Sequence, residues 1–194
     1  MSQTALLEMR DVSVAFDGFR AINGLNLTLH PGEMRAIIGP NGAGKTTMMD
    51  IITGKTRPDT GTVRFCGGDL TKLDEPAIAR LGIGRKFQKP TVFEALTVQE
   101  NLLLSLSGIR APFSVLLARF SGKEQERIDQ ILETTRLKDH AARQAGGMSH
   151  GQKQWLEIGM LLGQEPDLLL VDEPVAGMTD AETMATAELP RELA

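Results

Sequence analysis

The residues best suited to chemistry begin with a glycine-rich stretch. Residues 39–46 read Gly-Pro-Asn-Gly-Ala-Gly-Lys-Thr and match the pattern G-x-x-x-x-G-K-[ST] in full. Glycine lets such a loop turn its backbone N–H groups into one concavity that phosphate oxygens can enter. Lys45 supplies a positive charge for the β and γ phosphates, and Thr46 offers a hydroxyl to Mg²⁺. The predicted phosphate contacts are Gly39, Asn41, Gly42, Ala43, Gly44, Lys45, Thr46 and Thr47.

A second group of candidate residues follows an apolar run. Residues 168–171 read Leu-Leu-Leu-Val and predict a fully buried strand of the parallel-sheet type, directly followed by Asp172 and Glu173. We expect these carboxylates at the sheet edge that carries the phosphate loop, where Asp172 would serve Mg²⁺ and Glu173 would orient or deprotonate water. The alternative interpretation is an acidic helix cap before Pro174.

A third candidate group lies at residues 148–152, which read Met-Ser-His-Gly-Gln and precede a stretch with helical apolar spacing. Ser149 and Gly151 at a helix N-terminus predict a small anion site. Taken alone, the same residues predict only an ordinary N-cap. Their place ahead of Asp172 is what makes them functional candidates.

Strands and helices alternate in a way that indicates an α/β domain with a helical insertion. Strands are predicted at 6–16, 25–29, 34–38 and 62–66, with a turn at Asp17-Gly18, and helices at 45–53, 95–106, 123–138 and 151–163, with an irregular connection at 107–122. We predict a nucleotide-binding core of residues 1–92 and 164–194. Residues 93–163 form the predicted helical subdomain and carry the third motif.

Composition narrows the possible functions. Lys plus Arg is 21 and Asp plus Glu is 25, so the formal charge is −4, which disfavours a nucleic-acid-binding protein. The basic cluster of Arg85, Lys86 and Lys89 is therefore interpreted as a solvated or partner-facing loop. The single cysteine, Cys66, permits no intramolecular disulfide. No apolar run approaches the roughly 18 residues that a membrane span needs, and we expect a cytoplasmic protein without a signal peptide.

Together, these motifs resemble the ATP-binding subunits of ABC transporters. Residues 39–46 look like the Walker A motif of that family and residues 168–173 like its Walker B motif. Residues 148–152 resemble its signature motif LSGGQ, with departures at Met148 and His150. The resemblance implies a P-loop NTPase cassette with a mixed sheet core, N-terminal antiparallel strands and a helical insertion.

The resemblance also implies roles for individual residues. Gln88 lies where the family has its Q-loop glutamine, which contacts Mg²⁺ and the attacking water, and Phe16 looks like the aromatic residue that stacks on adenine. The implied catalytic residues are Glu173 and Gln88. The implied metal contacts are Thr46, Gln88 and Asp172, and the implied nucleotide contacts outside the glycine-rich loop are Phe16, Ser149, Gly151 and Gln152.

The implied activity is Mg²⁺-dependent ATP hydrolysis that energises an importer. The implied partners are a second ATP-binding subunit, as a homodimer or heterodimer, transmembrane permease subunits and, indirectly, a solute-binding protein. The protein would then lie peripherally on the cytoplasmic face of the inner membrane. The runs at 82–93, 148–159 and 172–180 resemble a urea importer group, related to the branched-chain amino acid importers, so urea is the expected cargo and branched-chain amino acids are the alternative.

Some positions depart from the family pattern. The family has a switch histidine after Walker B, and His30, His140 and His150 do not match it. The sequence stops before the strand that should carry it, so we expect an incomplete core, and a module that binds ATP without turnover is a further alternative. A soluble cassette acting on nucleic acid or ribosomes fits less well, since such proteins usually carry two cassettes or a long insertion. Thr179 occupies the place of a family aspartate. Asp180 either takes over that role or starts the following helix, and the helix start is the favoured interpretation. His150 is either a pH-sensitive phosphate contact or a plain subgroup variant.

Overall fold

The computed structural model describes residues 4–86, 92–106 and 122–172. Their contacts divide the chain into two compact units, one with the residues up to Ile83 and one with the residues from Gly84. The domain boundaries predicted from the sequence remain a prediction.

The first unit contains a four-stranded sheet whose neighbouring strands are all antiparallel. It consists of β1 (Leu7–Phe16), β2 (Phe19–Leu29), β3 (Thr60–Phe65) and β4 (Gly68–Asp69), in the order β2-β1-β3-β4. Asp17 and Gly18 form the turn between β1 and β2 with φ of 47° and 84°, which confirms the predicted turn. Antiparallel N-terminal strands are thereby confirmed.

A β-bulge changes which residues of β1 face the core. Leu7 and Met9 are buried in the first half of the strand, and Val12 and Val14 are buried in the second half. The pairing register shifts between Met9 and Val12, where Asp11 has a φ of 49°. One extra residue reverses the inward and outward alternation, so both halves of the strand contribute to one core.

Helix α1 (Lys45–Ile52) buries Met48, Ile51 and Ile52 and packs on β2. Thr53 is its C-cap, and Gly54 follows with a φ of 80°, the left-handed conformation in which a glycine commonly closes a helix. A short helix, α2 (Glu75–Arg80), begins at an Asp74 side chain that accepts from the Ala77 N–H.

The strand predicted at 34–38 is wrong for the described structure. No described residue pairs with this segment as a strand. Met34 is 55% exposed and Ile38 is 95% exposed, so the apolar side chains that suggested a strand are not buried. A strand exists only through its hydrogen-bonded neighbours, and the apolar run alone could not show whether a neighbour is present.

Within the residues that the structure describes, the second unit combines a two-stranded sheet with three helices. Strands β5 (Ile83–Lys86) and β6 (Leu168–Val171) pair with each other. The helices are α3 (Val98–Ser105), α4 (Gly122–Thr134) and α5 (His150–Gly163), with single turns of 3-10 helix at Lys138–His140 and Ala145–Gly147. In β6 only Leu170 is buried, so the prediction of a fully buried strand is wrong.

The three helices enclose one apolar core. Its buried residues are Val98, Leu102, Leu103, Leu106, Ile128, Ile131, Leu132, Leu137, Ala145, Met148 and Leu156, with Trp155 packed against it. Helix α3 begins with a capping box in which Thr97 and Glu100 satisfy each other's backbone N–H groups. The Glu100 carboxylate accepts from the Thr97 N–H at 2.7 Å and from the Thr97 hydroxyl at 2.8 Å, and these two hydrogen bonds lower its pKa.

Candidate nucleotide-binding site

The glycine-rich loop is shaped by its contact with β2. Gly42 and Gly44 have φ of 81° and 82°, a left-handed conformation that side chains with a Cβ atom rarely adopt. A Cβ atom on Gly44 would lie 2.7 Å from the Ala21 carbonyl oxygen and 3.2 Å from Ile22 Cγ1. Only glycine therefore lets the loop lie this close to the sheet, immediately before α1 begins.

Lys45 extends along the loop that precedes it. Its Nζ atom donates to the carbonyl oxygens of Gly39, at 2.7 Å, and Pro40, at 2.9 Å. The ammonium group is thus held over the loop by backbone oxygens. Any phosphate that binds this lysine must compete with those two hydrogen bonds.

The other predicted contacts of this unit are accessible. Asn41, Gly42, Ala43 and Thr46 are exposed, and Gly39, Gly44 and Thr47 are intermediate. Phe16, the last residue of β1, is 46% exposed and pairs with Phe19 across the turn. An exposed aromatic side chain of this kind is available for stacking on a planar ligand.

Asp172 lies immediately after β6 and is 4% exposed. Its Oδ2 atom is 3.8 Å from Nη2 of Arg85, whose side chain is also buried. The guanidinium group compensates the charge that the carboxylate would otherwise carry alone in the interior. On the adjacent residue of β5, Nζ of Lys86 lies 3.6 Å from Oε2 of Glu157 in α5, and both side chains are buried. The interpretation of Arg85 and Lys86 as a solvated or partner-facing loop is therefore wrong.

Ser149 is the N-cap of α5, as predicted. Its hydroxyl accepts from the Gln152 N–H at 3.2 Å, and Gln152 Oε1 accepts from the Ser149 N–H at 3.0 Å. The pair forms a capping box, which the spacing of serine and glutamine could have indicated. Gly151 is buried in the first turn.

Two histidines contact glutamines near this N-terminus, and neither contact is part of the predicted site; only the four-residue spacing of His150 and Gln154 on a helix could have indicated one of them. Gln152 Nε2 is 3.0 Å from His140 Nε2. Because Gln152 Oε1 already accepts from the backbone, its Nε2 atom donates and the histidine nitrogen accepts. Gln154 Nε2 lies 2.9 Å from His150 Nε2. His150 thus has a neighbour within its own helix.

Gln88, Glu173, Thr179 and Asp180 lie outside the described residues, as does the helix predicted after Walker B. Their predicted roles stay predictions. The structure consequently describes the glycine-rich loop and Lys45 in the first unit. It describes the buried Asp172 and the capped N-terminus of α5 in the second unit.

The donor chemistry fits Mg²⁺. Thr46 and Asp172 offer hard oxygen atoms, the kind that Mg²⁺ prefers. Among residues 4–86, 92–106 and 122–172, no group of three or more His, Cys, Asp or Glu residues could hold a metal ion by itself. Mg²⁺ bound by one carboxylate together with phosphate oxygens and water needs no such group.

Comparison with known proteins identifies the family of the chain. The model of the ABC transporter family matches residues 22–176. The branched-chain amino acid transport ATP-binding protein LivG of Escherichia coli K12 is 38% identical, over all of this chain and 78% of LivG. Its counterpart BraF of Pseudomonas aeruginosa is 36% identical, over 92% of this chain and 72% of BraF.

Solved structures show the same fold. A nucleotide-free ATP-binding cassette from an ABC transporter has a TM-score of 0.77 and 32% identity, covering 97% of this chain and 77% of that one. The cbiO1 protein of Clostridium perfringens, described as part of the ABC transporter complex cbiONQ, has a TM-score of 0.82 and 26% identity, covering 98% of this chain and 74% of its own.

Fold and motifs thus define an ATP-binding cassette. The chain belongs to the ABC transporter family, whose cassettes bind and hydrolyse ATP. The predicted family and cassette fold are confirmed. In the part of the chain that the structure describes, no helix is both long and apolar enough to cross a membrane.

Proposed function

We propose that this chain binds Mg²⁺ and ATP and hydrolyses the ATP to drive an importer for branched-chain amino acids. The observation that carries the proposal is the motif at residues 39–46, whose loop rests against β2 through Gly44 and leads directly into Lys45, the first residue of α1. Exposed backbone N–H groups, a helix N-terminus and one positive charge are what a polyphosphate requires.

Nucleotide binding would begin with an exchange of partners at Lys45. Its ammonium group would leave the carbonyl oxygens of Gly39 and Pro40 and contact the β and γ phosphates. Phe16 would stack on the adenine ring. Mg²⁺, when bound, neutralises part of the phosphate charge, and the oxygen atoms of Thr46, Gln88 and Asp172 are the protein groups that would hold it.

Hydrolysis would depend on residues that follow strands β5 and β6. Glu173 would orient the attacking water and take its proton, and Gln88 would help to place that water. Asp172 would keep its position through the buried Arg85, which lies 3.8 Å away. These roles are inferred from the positions of the residues in the motifs, so each role has to be tested by substituting that residue.

The active form would be a dimer. The N-terminus of α5 on one subunit, with Ser149, Gly151 and Gln152, would close over the ATP bound by the loop of the other. Permease subunits would dock on this dimer at the cytoplasmic face of the membrane and would receive the closing movement. A solute-binding protein would act only through the permease.

The cargo assignment follows the relatives. LivG and BraF are both named for branched-chain amino acid transport. Their names support branched-chain amino acids, the alternative cargo, over urea. The urea hypothesis is supported only by the resemblance of the runs at 82–93, 148–159 and 172–180 to a urea importer group. Uptake of labelled leucine and of labelled urea, with the cognate permease and binding protein, discriminates the two. Leucine uptake supports the proposal, and urea uptake alone overturns the cargo assignment.

Nucleotide binding is tested with Lys45→Met and the matched control Lys55→Met. Lys55 is an exposed lysine just beyond α1 that lies 3.7 Å from Asp50. Calorimetric titration with Mg²⁺ and ATP should give an affinity at least about tenfold lower for Lys45→Met and an unchanged affinity for Lys55→Met. Equal losses in both variants would contradict a specific phosphate role for Lys45.

Hydrolysis is tested by phosphate release from the wild type and Glu173→Gln. The proposal expects turnover by the wild type and a loss of at least about a hundredfold in the variant. Binding without turnover in the wild type would instead support the module that only binds ATP.

A further inference from the structure

A buried lysine at the end of β5 has no part in the nucleotide contacts proposed above. Lys86 is 1% exposed, and its Nζ atom lies 3.6 Å from Oε2 of Glu157, whose side chain is 5% exposed. Removing two charges from water is costly, and an interior ion pair seldom stabilises a fold more than apolar residues of similar size would. Stability alone therefore gives little reason for a charged pair at this place.

The pair belongs to a larger polar arrangement around β5. Successive strand residues point to opposite faces, so Arg85 and Lys86 reach different partners. Arg85 reaches Asp172 at the end of β6, and Lys86 reaches Glu157 in α5. Two consecutive residues thus connect one strand to the Walker B aspartate and to the helix that begins with the signature motif.

On α5 the polar residues continue toward that motif. His150, Gln154 and Glu157 are spaced by four and three residues and therefore lie on one face of the helix. Gln154 is 1% exposed, and its Nε2 atom lies 2.9 Å from His150 Nε2. This polar stripe runs from His150, which is exposed, through the buried Gln154 to the buried contact of Glu157 with Lys86.

We infer that Lys86 and Glu157 are positioning residues, which lock the signature helix to the strand that leads into the Gln88 segment. The inference rests on the proposed function. Gln88 follows Lys86 by two residues, and Ser149 immediately precedes α5. A shift of α5, when its N-terminus meets the phosphates of the opposite subunit, would move Glu157 and with it Lys86. The pair would thereby transmit that contact to the segment that contains Gln88, which helps to place the attacking water.

The test needs variants that separate positioning from folding. Lys86→Met or Glu157→Gln alone leaves a buried charge without its partner and should lower the melting temperature. The double variant Lys86→Met/Glu157→Met fills the same space with apolar side chains and should melt close to the wild type. A second double variant, Lys86→Gln/Glu157→Gln, keeps a hydrogen-bonding pair without charge.

The matched control is Lys138→Met/Glu133→Met. It removes the same kinds of charge from an ion pair of 3.9 Å whose side chains are 66% and 76% exposed. We expect this control to leave melting temperature, ATP affinity, turnover and hydrogen exchange unchanged.

Three readouts are taken on the full chain. Calorimetry with Mg²⁺ and ATP should give a Kd within about twofold of the wild type for the Met/Met variant, since neither residue is a nucleotide contact. Its kcat should fall by about tenfold or more, because small misplacements of reacting groups cost that much. Hydrogen exchange without nucleotide should become faster together in residues 83–86 and 149–153.

Each outcome decides the inference. A Met/Met variant that melts like the wild type but shows unchanged kcat and unchanged exchange overturns it. If neither double variant folds, the pair serves the fold itself and the inference is also overturned. If the wild type binds ATP without hydrolysing it, the proposed function fails, and the exchange measurement still decides whether the two segments are coupled.

Discussion

Substitution of Gly159 by alanine should loosen the helical core that supports the signature motif. Gly159 lies within α5 at the place where this helix meets α3 and α4. A Cβ atom there would lie 3.0 Å from Leu102 Cδ2, 3.0 Å from Ile131 Cγ2 and 3.2 Å from Thr135 Cγ2. All three neighbours are at most 2% exposed, so none of them can move into solvent.

The expected size of the effect is a difference between two opposing contributions. Alanine in a helix interior is favoured over glycine by about 1 kcal/mol. Added volume in a packed core costs about 1–3 kcal/mol, and three simultaneous close contacts favour the upper part of that range. We therefore expect Gly159→Ala to lower the free energy of unfolding by about 1–2 kcal/mol.

The only tryptophan provides the assay. Trp155 lies in α5 and packs against this core, so its fluorescence in a urea titration follows unfolding of the second unit. Gly122→Ala is the control, because a Cβ atom at Gly122, the first residue of α4, has no neighbour within 4 Å among the described residues. A Gly159→Ala variant as stable as the wild type, or more stable, would refute the argument from close packing.

Three further predictions concern helix caps and the phosphate loop. Ser149→Ala should destabilise the second unit by about 1 kcal/mol through loss of the α5 cap, as followed by Trp155 fluorescence. The lowered pKa of Glu100 contributes stability that is fully present above the ordinary carboxyl pKa and is lost as pH falls through the lowered value. The free energy of unfolding from urea titrations should therefore decrease as pH falls through this range, and the decrease should be smaller in Glu100→Gln. Gly44→Ala should weaken ATP binding at least about tenfold in calorimetry, because its φ of 82° and its contact with β2 exclude a Cβ atom.

Each of these predictions has a result that contradicts it. A Ser149→Ala variant with an unchanged urea midpoint would mean that water replaces the cap. If the free energy of unfolding depends on acidic pH in the same way in Glu100→Gln as in the wild type, other carboxylates cause the pH dependence. Wild-type affinity in Gly44→Ala would show that the loop can move away from β2.

The sequence predicted the elements that carry their own local signals. Helix α5 has Ser149 as its N-cap, as the motif predicted, and α1 ends within one residue of its predicted end, before the left-handed Gly54. The Asp17-Gly18 turn was equally local, because its residues tolerate the left-handed backbone that such a turn needs. The phosphate loop was predictable for the same reason.

Features that depend on distant partners were not predictable. The apolar residues 34–38 suggested a strand, but a strand needs a neighbour that the pattern does not specify. Charge alone placed Lys86 in a solvated or partner-facing loop, whereas its partner, Glu157, lies far along the chain. Helix α4 ended earlier than predicted, because Arg136 takes a φ of 57° and the Leu137 N–H turns back to the Leu132 carbonyl oxygen.

The two capping boxes differ in one property, which is charge. Helix α3 is closed by Thr97 and the carboxylate of Glu100, and α5 is closed by Ser149 and the neutral amide of Gln152, with no acidic residue in its first turn. A carboxylate in the first turn offsets the positive end of a helix macrodipole. In α5 the capping box satisfies the backbone N–H groups in the same way, but no carboxylate offsets the positive end of the helix. Its first turn is therefore closed sterically but keeps its positive electrostatic potential, which remains available to an anion from outside the helix.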